Sequence, residues 1–368
     1  MIFSPLMALA EETPKVETDK YTSSVVCGKC HEHIYNRWKD SIHAHAMDDP
    51  IFNTAYNLAY RKTSGAAKNI CLPCHAPTVR FTGDFDEKLP ITKEGVSCDF
   101  CHTVKAVDLK ASDPYIKEIG LVKRGPFKDG KDLKGKHEIA FSELHKTAEF
   151  CAGCHEYKSQ NGVSIIGTYG EWKEGPYPAK GKQCQDCHMP AIMGQIVAGS
   201  DAGPKRTINE HNLLGGHSLM QLKKAIDVKV ININVGEART EVMVDISNMG
   251  SGHRVPTGTP TRRLILNVEL SGAEGRVFRE KIAYEKILAD MDGRELKDES
   301  EVMLGGPMQI LKDNRLKPGE TRREVFTFYA TGAKLKNVTA WVDYVYSPFI
   351  LDRTTMQLEM ARDSMAVR

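Results

Sequence analysis

All ten cysteines of this 368-residue chain occur in one repeated pattern, in which two cysteines separated by two residues are followed directly by a histidine. The pattern occurs five times and leaves no cysteine over. It constrains the fold strongly, because each repeat must hold two sulfurs and one imidazole at a fixed spacing. We number the repeats units 1 to 5 in chain order: residues 27–31, 71–75, 98–102, 151–155 and 184–188.

The Cys-x-x-Cys-His spacing is the attachment signature of haem c. Residues three apart lie on one face of a helical turn, so both thiols can form thioether bonds to one porphyrin edge. The histidine that follows is then placed to bind the iron from the proximal side. We therefore predict five covalently bound haem c groups. The attachment residues are Cys27, Cys30, Cys71, Cys74, Cys98, Cys101, Cys151, Cys154, Cys184 and Cys187, and the proximal ligands are His31, His75, His102, His155 and His188.

Two other uses of paired cysteines fit the pattern less well. Zinc sites combine two Cys-x-x-Cys units, or one such unit with a distant histidine pair, and do not need a histidine directly after each unit. Disulfides within Cys-x-x-Cys units are typically redox-active, and five of them in one chain would be unusual.

The two halves of the chain differ in composition. All five units lie before residue 189, and no cysteine follows them. From residue 226 onwards, apolar and polar residues alternate with the period of a β-strand. A one-residue phase slip between Val230 and Ile231 indicates a β-bulge. The predicted strands cover residues 227–235, 240–247, 263–270, 276–284, 322–329, 338–346 and 355–360.

We therefore predict two domains. The first, residues 11–221, is a pentahaem cytochrome c domain of helices and irregular segments with little regular structure. The second, residues 222–368, is an all-β, antiparallel, immunoglobulin-like sandwich. Residues 1–10 end in Ala8-Leu9-Ala10, a small-residue cleavage pattern, and are interpreted as the remnant of a secretory signal peptide.

Several properties bear on location and partners. No later segment approaches the roughly 20 apolar residues of a membrane-spanning helix. The formal charge is only +2 and the basic residues are scattered, which argues against nucleic-acid binding. We expect the protein to be exported, either to the periplasm or outside the cell. We expect its partners to be redox proteins.

Thirteen histidines supply more imidazoles than five irons need. After the five proximal histidines, eight remain for five distal positions, which favours bis-histidine, low-spin haems suited to electron transfer. His33 lies two residues from His31, and His45 lies two residues from His43. On a helix, residues two apart point to different faces, so His33 and His45 are not chosen as ligands. The glycines before His217 and His253 favour a close approach to a flat macrocycle.

Five segments resemble the cytochrome c554-like multihaem cytochromes: residues 38–44 (WKDSIHA), 95–102, 184–190, 211–217 (HNLLGGH) and 252–258 (GHRVPTG). The resemblance extends to about residue 265. It implies His43, His211, His217 and His253 as the first choices for distal ligands. His137 is the fifth choice, and His145 is the alternate.

Three functions remain open from the sequence. The first is a soluble electron carrier or conduit. The second is a haem enzyme of the nitrite or hydroxylamine type with one open haem. The absence of a Cys-x-x-Cys-Lys unit argues against it, although c554-like proteins can carry a haem without a distal ligand. The third is a subunit of a polymeric extracellular filament (a nanowire), in which a spare histidine completes a haem of the next subunit. The first function needs no catalytic residue, and we assign none.

Overall fold

The computed structural model describes residues 15–130, 136–199, 203–330, 335–347 and 356–367. The predicted signal-peptide remnant, residues 1–10, lies outside this part of the chain. Within the described ranges, no helix is both long enough and apolar enough to cross a membrane.

The helices of the described residues are short. They are α1 (Ser24–Gly28), α2 (Glu32–Trp38), α3 (Pro50–Lys62), α4 (Lys68–His75), α5 (Val79–Thr82), α6 (Pro90–Lys93), α7 (Cys98–Thr103), α8 (Glu149–His155), α9 (Thr168–Lys173), α10 (Cys184–His188), α11 (Leu219–Leu222) and α12 (Glu299–Leu304).

The strands fall into two groups. Short strands lie among the helices: β1 (Val104–Val107), β2 (Tyr115–Lys117), β3 (Val122–Gly125), β4 (Glu138–Phe141), β5 (Glu156–Lys158), β6 (Ser164–Gly167), β7 (Ala191–Gly194) and β8 (Arg206–Asn209). Mostly longer strands follow: β9 (Ile226–Val235), β10 (Thr240–Asn248), β11 (Arg262–Gly272), β12 (Val277–Tyr284), β13 (Lys286–Ala289), β14 (Gln309–Asp313), β15 (Thr321–Phe328), β16 (Leu335–Tyr346) and β17 (Met356–Ala366).

The haem-attachment units adopt helical turns, as their spacing predicts. Units 2 and 4 end α4 and α8, unit 5 coincides with α10, and unit 3 begins α7. The side chain of Ser97 starts α7 by accepting a hydrogen bond from the backbone N–H of Phe100 (3.3 Å). At α10, Gln183 and Asp186 form a reciprocal capping box. These caps fix where each turn begins, and the two thiols of a unit then share one face of it.

The C-terminal half forms two main sheets. Strands β15, β10 and β9 form one antiparallel sheet, and β12, β11, β16 and β17 form the other. All seven predicted strands are present in these sheets, and the bulge is confirmed, because Met243 pairs with Asn232 and Val244 with Val230, which leaves Ile231 unpaired. Buried residues of both sheets share one apolar core, which includes Val244, Leu266 and Val342. The immunoglobulin-like topology itself stays a prediction, as do the domain boundaries.

Buried polar contacts join the two halves of the chain. The guanidinium of Arg315 is 5% exposed and lies 2.7 Å from a carboxylate oxygen of Glu171 in α9. The other carboxylate oxygen of Glu171 accepts a hydrogen bond from Thr257 Oγ1 (2.7 Å). On the surface nearby, Lys62 at the end of α3 donates to Asp298, which caps α12 (2.9 Å). The β-rich half is therefore fixed to helices α3 and α9 of the helical half.

A buried lysine forms a further connection. Lys286 Nζ donates to the backbone carbonyls of Ser164 (3.0 Å) and Ile165 (2.9 Å) in β6. Burial, and next the positive charge of Arg315, lower the pKa of Lys286 to about 8. Three carboxylates act in the opposite direction: Glu171, Asp313 and Glu156.

The lowered pKa of Lys286 predicts a stability that rises with pH. In the unfolded chain the lysine keeps its proton up to about pH 10.5, whereas in the folded protein it loses the proton from about pH 8. The unfolding free energy should thus rise by roughly 2 kcal/mol between pH 8 and 10, at about 1.4 kcal/mol per pH unit. The measurement is denaturant unfolding of the holoprotein and of Lys286→Met at pH 7 to 10. An equal pH dependence of the two proteins would contradict the prediction.

Candidate haem cavity

One continuous cavity runs through the helical half of the chain and reaches the β-rich half. All ten cysteines of the five units line it. Eleven of the thirteen histidines also line it, namely His31, His43, His75, His102, His137, His145, His155, His188, His211, His217 and His253. The two histidines outside the lining are His33 and His45, which are exposed. His45 forms an ion pair with Asp48 (2.9 Å). The structure thus brings together every predicted attachment and ligand residue.

The proximal histidines are oriented by the backbone. Nδ1 of four of them lies within hydrogen-bonding distance of a carbonyl oxygen, and a neutral ring that donates there keeps Nε2 free as an acceptor. Such a contact fixes both the tautomer and the ring orientation of a metal-binding histidine. The four contacts are His31 to Ile196 (2.7 Å), His75 to Ala46 (3.0 Å), His102 to Arg124 (2.6 Å) and His188 to Leu214 (2.5 Å).

Three distal candidates face a proximal histidine at a common spacing. The ring centroids of His31 and His137 are 6.0 Å apart, those of His43 and His155 are 6.2 Å apart, and those of His188 and His253 are 6.3 Å apart. With metal–imidazole bonds of about 2 Å, two rings that bind one metal from opposite sides have centroids about 6 Å apart. The donor set therefore fits a metal held between two imidazoles in each pair.

The buried imidazoles are held neutral, which is the form that binds a metal. Burial is the main cause in each case. It lowers the pKa of His43 to about 4, with the charge of His188 as the next cause, and that of His155 to about 3, with the charge of His43 as the next cause. For His211, burial comes first and the neighbouring His102 second, and the pKa falls to about 4. His211 therefore lies beside unit 3.

His145, the alternate candidate, makes a different contact. Its ring lies against His102, with centroids 5.7 Å apart and planes at 19°. Its Nε2, however, lies 3.0 Å from the carbonyl oxygen of Cys101, within hydrogen-bonding distance. A nitrogen that donates to a carbonyl offers no lone pair to iron, so this arrangement favours a packing role beside unit 3.

Unit 2 has different surroundings. The ring of His75 stacks on Phe52, with centroids 3.7 Å apart and planes at 11°. His217 is exposed on the cavity wall and lies edge-on to Tyr346, with centroids 6.2 Å apart. The two histidines share Arg262 and Asp49 as charged neighbours that shift their pKa values. His217 thus shares its charged surroundings with His75 of unit 2.

Sequence reasoning missed the part of the cavity wall that the β-rich half supplies. Arg262, Glu299, Tyr344 and Tyr346 all line the cavity. In the sequence these residues read as ordinary strand or helix-start residues, and only the docking of the two halves brings them to the haem units. Gly216, the residue before His217, lets the backbone approach this wall closely, because a Cβ at this position would lie 2.9 Å from Tyr344 Oη.

Comparisons with known proteins agree with this geometry. Residues 26–103, which contain units 1 to 3 and His43, match the family described as cytochrome c554 and c-prime. The fold matches that of a penta-heme cytochrome c552 from Thermochromatium tepidum, with a TM-score of 0.73 and 23% identity over 94% of this chain and 99% of that chain. A putative ApaA protein from Bordetella pertussis matches 38% of this chain with a TM-score of 0.20, which is too low to support an argument. No curated protein sequence matches the chain.

The fold and the attachment units together define a multihaem c-type cytochrome, a class that binds haem c covalently. Within that class, the chain resembles the cytochrome c554-like family.

Proposed function

We propose that the protein is a pentahaem electron-transfer cytochrome that carries electrons through closely spaced, bis-histidine, low-spin haems. The observation that supports this most is the 6.0–6.3 Å spacing of three proximal–distal histidine pairs inside one cavity. An iron with two imidazole ligands is closed to substrate and cycles between Fe(III) and Fe(II). The polypeptide then sets the ligation, spacing and polarity of the cofactors.

The contacts support one pairing of ligands. Units 1, 4 and 5 take His137, His43 and His253 as distal ligands by ring spacing. Unit 3 takes His211, which lies beside His102. Unit 2 takes His217, which shares charged neighbours with His75.

Contacts between units support an order for the electron path. The pKa values of the cysteines place sulfurs of different units near one another in three places, since Cys27 is shifted by Cys98, Cys74 by Cys154, and Cys151 by Cys184. Units 1 and 3, 2 and 4, and 4 and 5 are therefore neighbours.

One tyrosine lies between unit 3 and unit 4, and so connects units 1 and 3 with units 2, 4 and 5. Tyr115 Oη donates to the carbonyl of Phe150 (3.1 Å) and lies 3.6 Å from Cys154 Sγ of unit 4. Its ring packs edge-on against Phe100 of unit 3, with centroids 5.2 Å apart. In the proposed path, electrons pass from unit 1 through unit 3 to unit 4, where the path branches to units 2 and 5.

We also propose export to the periplasm or the cell exterior, where haem c attachment is completed, and an immunoglobulin-like β-domain over residues 222–368 that closes the cavity. The filament alternative predicts polymers at physiological salt. Electron microscopy of the purified holoprotein decides it, since discrete particles under all conditions would exclude filaments.

The first test is the EPR spectrum of the oxidised holoprotein, together with that of His217→Ala. We expect the natural protein to show only low-spin signals. The His217→Ala variant should gain one high-spin haem, because unit 2 loses its distal ligand while its thioether bonds stay intact. A haem count by alkaline pyridine absorption should remain at five per chain. If all haems of the variant stay low-spin, the assignment of His217 is wrong.

A second candidate function has one observation in its favour. The ring of His75 stacks on Phe52, and its distal candidate His217 is exposed. Unit 2 is therefore the unit at which an open coordination position is easiest to envisage. A high-spin signal in the natural protein would indicate an open iron there. It would favour a haem enzyme acting on a small substrate such as nitrite or hydroxylamine.

A further inference from the structure

A cluster of three side chains projects from the β-rich half into the haem cavity. Arg262 begins β11, and Tyr344 and Tyr346 end the neighbouring strand β16, with Arg262 paired to Tyr346 in the register. The guanidinium carbon of Arg262 lies 4.7 Å from the centroid of the Tyr346 ring. Tyr344 is 3% exposed and Tyr346 is 5% exposed. We call Arg262 and Tyr344 the arginine–tyrosine pair.

Two polar atoms of this pair make no well-formed hydrogen bond. Arg262 Nε and Tyr344 Oη are buried and have no partner at hydrogen-bond geometry among the residues that the structure describes, although the Tyr344 hydroxyl interacts with the guanidinium of Arg262. A buried donor left without a partner is costly, so native structures seldom keep one without a reason. Arginine can only donate. The missing partner is therefore an acceptor, and beside a guanidinium an anionic acceptor is the most favourable one.

The carboxylates nearby are already engaged. Glu299 Oε2 accepts hydrogen bonds from Tyr346 Oη (3.0 Å) and from Thr261 Oγ1 (3.2 Å). Asp49 accepts from the backbone N–H of Phe52 (2.7 Å) as the cap of α3. No ion pair between Arg262 and either carboxylate occurs within 4.0 Å in the described part of the chain. Glu299 therefore interacts with Arg262 only through space, and the guanidinium keeps donor atoms for a group that enters the cavity.

The backbone approaches the guanidinium of Arg262 closely at two glycines. A Cβ at Gly216 would lie 3.2 Å from Arg262 Nη1, and one at Gly258 would lie 3.1 Å from the same atom. Two glycines thus allow the guanidinium to lie flat against the backbone. The pair is also close to His217, because Arg262 lies over the ring of Tyr346, and the centroid of that ring is 6.2 Å from that of His217. Arg262 lines the same cavity as His75 of unit 2 and His155 of unit 4 and is a charged neighbour of both.

We propose that Arg262 and Tyr344 form a binding site for an oxyanion beside unit 2, so that the β-rich half completes this haem site. The shared chemistry is a small group with two acceptor oxygens. Two sources can supply it: a propionate of the haem at unit 2, or a free oxyanion such as nitrite. The inference rests on the proposed haem loading and adds a role for residues of the β-rich half.

The variants that test the site are Arg262→Met, Arg262→Lys and Tyr344→Phe, all studied as haem-loaded holoproteins. The matched control is Arg263→Met, because Arg263 is the next residue on β11 and is exposed. Two quantities are measured for each protein: the reduction potential of each haem in an EPR-monitored titration, and the change in the haem absorption spectrum on adding sodium nitrite. Haem content is counted for each protein, so that failure of haem loading, which would contradict the proposed function, is seen separately.

The two sources give different results. If a propionate is bound, Arg262→Met lowers the potential of one haem without added anion, because the cation that stabilises the reduced state is lost. If a free oxyanion is bound, nitrite changes the spectrum of the natural protein, and Arg262→Met weakens that binding by roughly tenfold to a hundredfold, as expected for loss of a charged hydrogen bond. In both cases Arg262→Lys and Tyr344→Phe have smaller effects.

The proposal fails on one clear outcome. If five haems are present, and neither the potentials nor the nitrite response of Arg262→Met and Tyr344→Phe differ from those of Arg263→Met, the pair binds no oxyanion. Tyr344→Phe removes a single hydroxyl, and Arg262→Lys keeps the charge. The test therefore remains decisive even if Arg262→Met folds poorly.

Discussion

Replacing His43 with alanine should change one haem in five from low spin to high spin. His43 faces His155 of unit 4 with ring centroids 6.2 Å apart, and burial keeps both imidazoles neutral. Without His43, the iron of unit 4 would keep only its proximal ligand. The haem of unit 4 would then convert completely from low spin to high spin. Because unit 4 is the branch point of the proposed path, electron transfer between the other units should also slow. EPR of the oxidised protein measures the spin state, and stopped-flow reduction measures the rate.

The matched control is His45→Ala. His45 lies two residues further along the chain, is exposed, and forms an ion pair with Asp48 rather than lining the cavity. Its removal should leave all five haems low-spin. If both variants keep the natural EPR spectrum, His43 is not an iron ligand. If both gain a high-spin signal, the change comes from disruption of this segment and not from the loss of a specific ligand.

Replacing Arg315 with methionine should lower the unfolding free energy by about 3–5 kcal/mol, the cost of removing one partner of a buried ion pair. Arg315 is 5% exposed, lies 2.7 Å from Glu171, and donates through Nε and Nη2 to Asp313 (both 2.8 Å). Without it, buried Glu171 loses the cation that contacts it, and Asp313 is left with the more distant Arg254 (3.7 Å). Glu171 belongs to the helical half, so the β-rich half should also dock less firmly. Denaturant unfolding followed by haem absorption and by far-UV circular dichroism measures both effects.

Arg323→Met serves as the control for this prediction. Arg323 also binds a carboxylate through two hydrogen bonds, to Asp245 at 2.8 and 2.9 Å, but its side chain is 56% exposed. Surface ion pairs contribute about 0–1 kcal/mol, so this variant should unfold nearly as the natural protein does. If the unfolding free energy of Arg315→Met falls no further than that of Arg323→Met, the buried ion pair has no structural role.

The strands of the C-terminal half were predictable because their signal is local. Alternation along a strand depends only on which face of the sheet is buried, and the extra residue at Ile231 leaves its mark as a slip in that alternation. The two-stranded sheet of β13 and β14 and the helix α12 were not predicted. They lie against the helical half, where contact with other parts of the chain decides which residues are buried.

The helical half was less predictable. Its buried clusters are small and contain aromatic residues that also line the cavity, such as Tyr115, Tyr169 and Trp172. Their positions follow from the attachment units around them, and no hydrophobic period shows them in the sequence. The resemblance to c554-like proteins supplied a set of candidate distal histidines, but it could not assign each of them to a unit.

The sequence by itself determined the attachment chemistry and the strand pattern of this protein. Both depend on neighbours within a few residues: two thiols and an imidazole on one helical turn, or side chains alternating across one strand. Only the tertiary structure decided which histidines face each other, which of the surplus ones lie outside the cavity, and that Arg262 and Tyr344 line the cavity. Most of these arrangements join positions more than 100 residues apart, such as His43 with His155, and such positions meet only when the whole chain packs around one cavity.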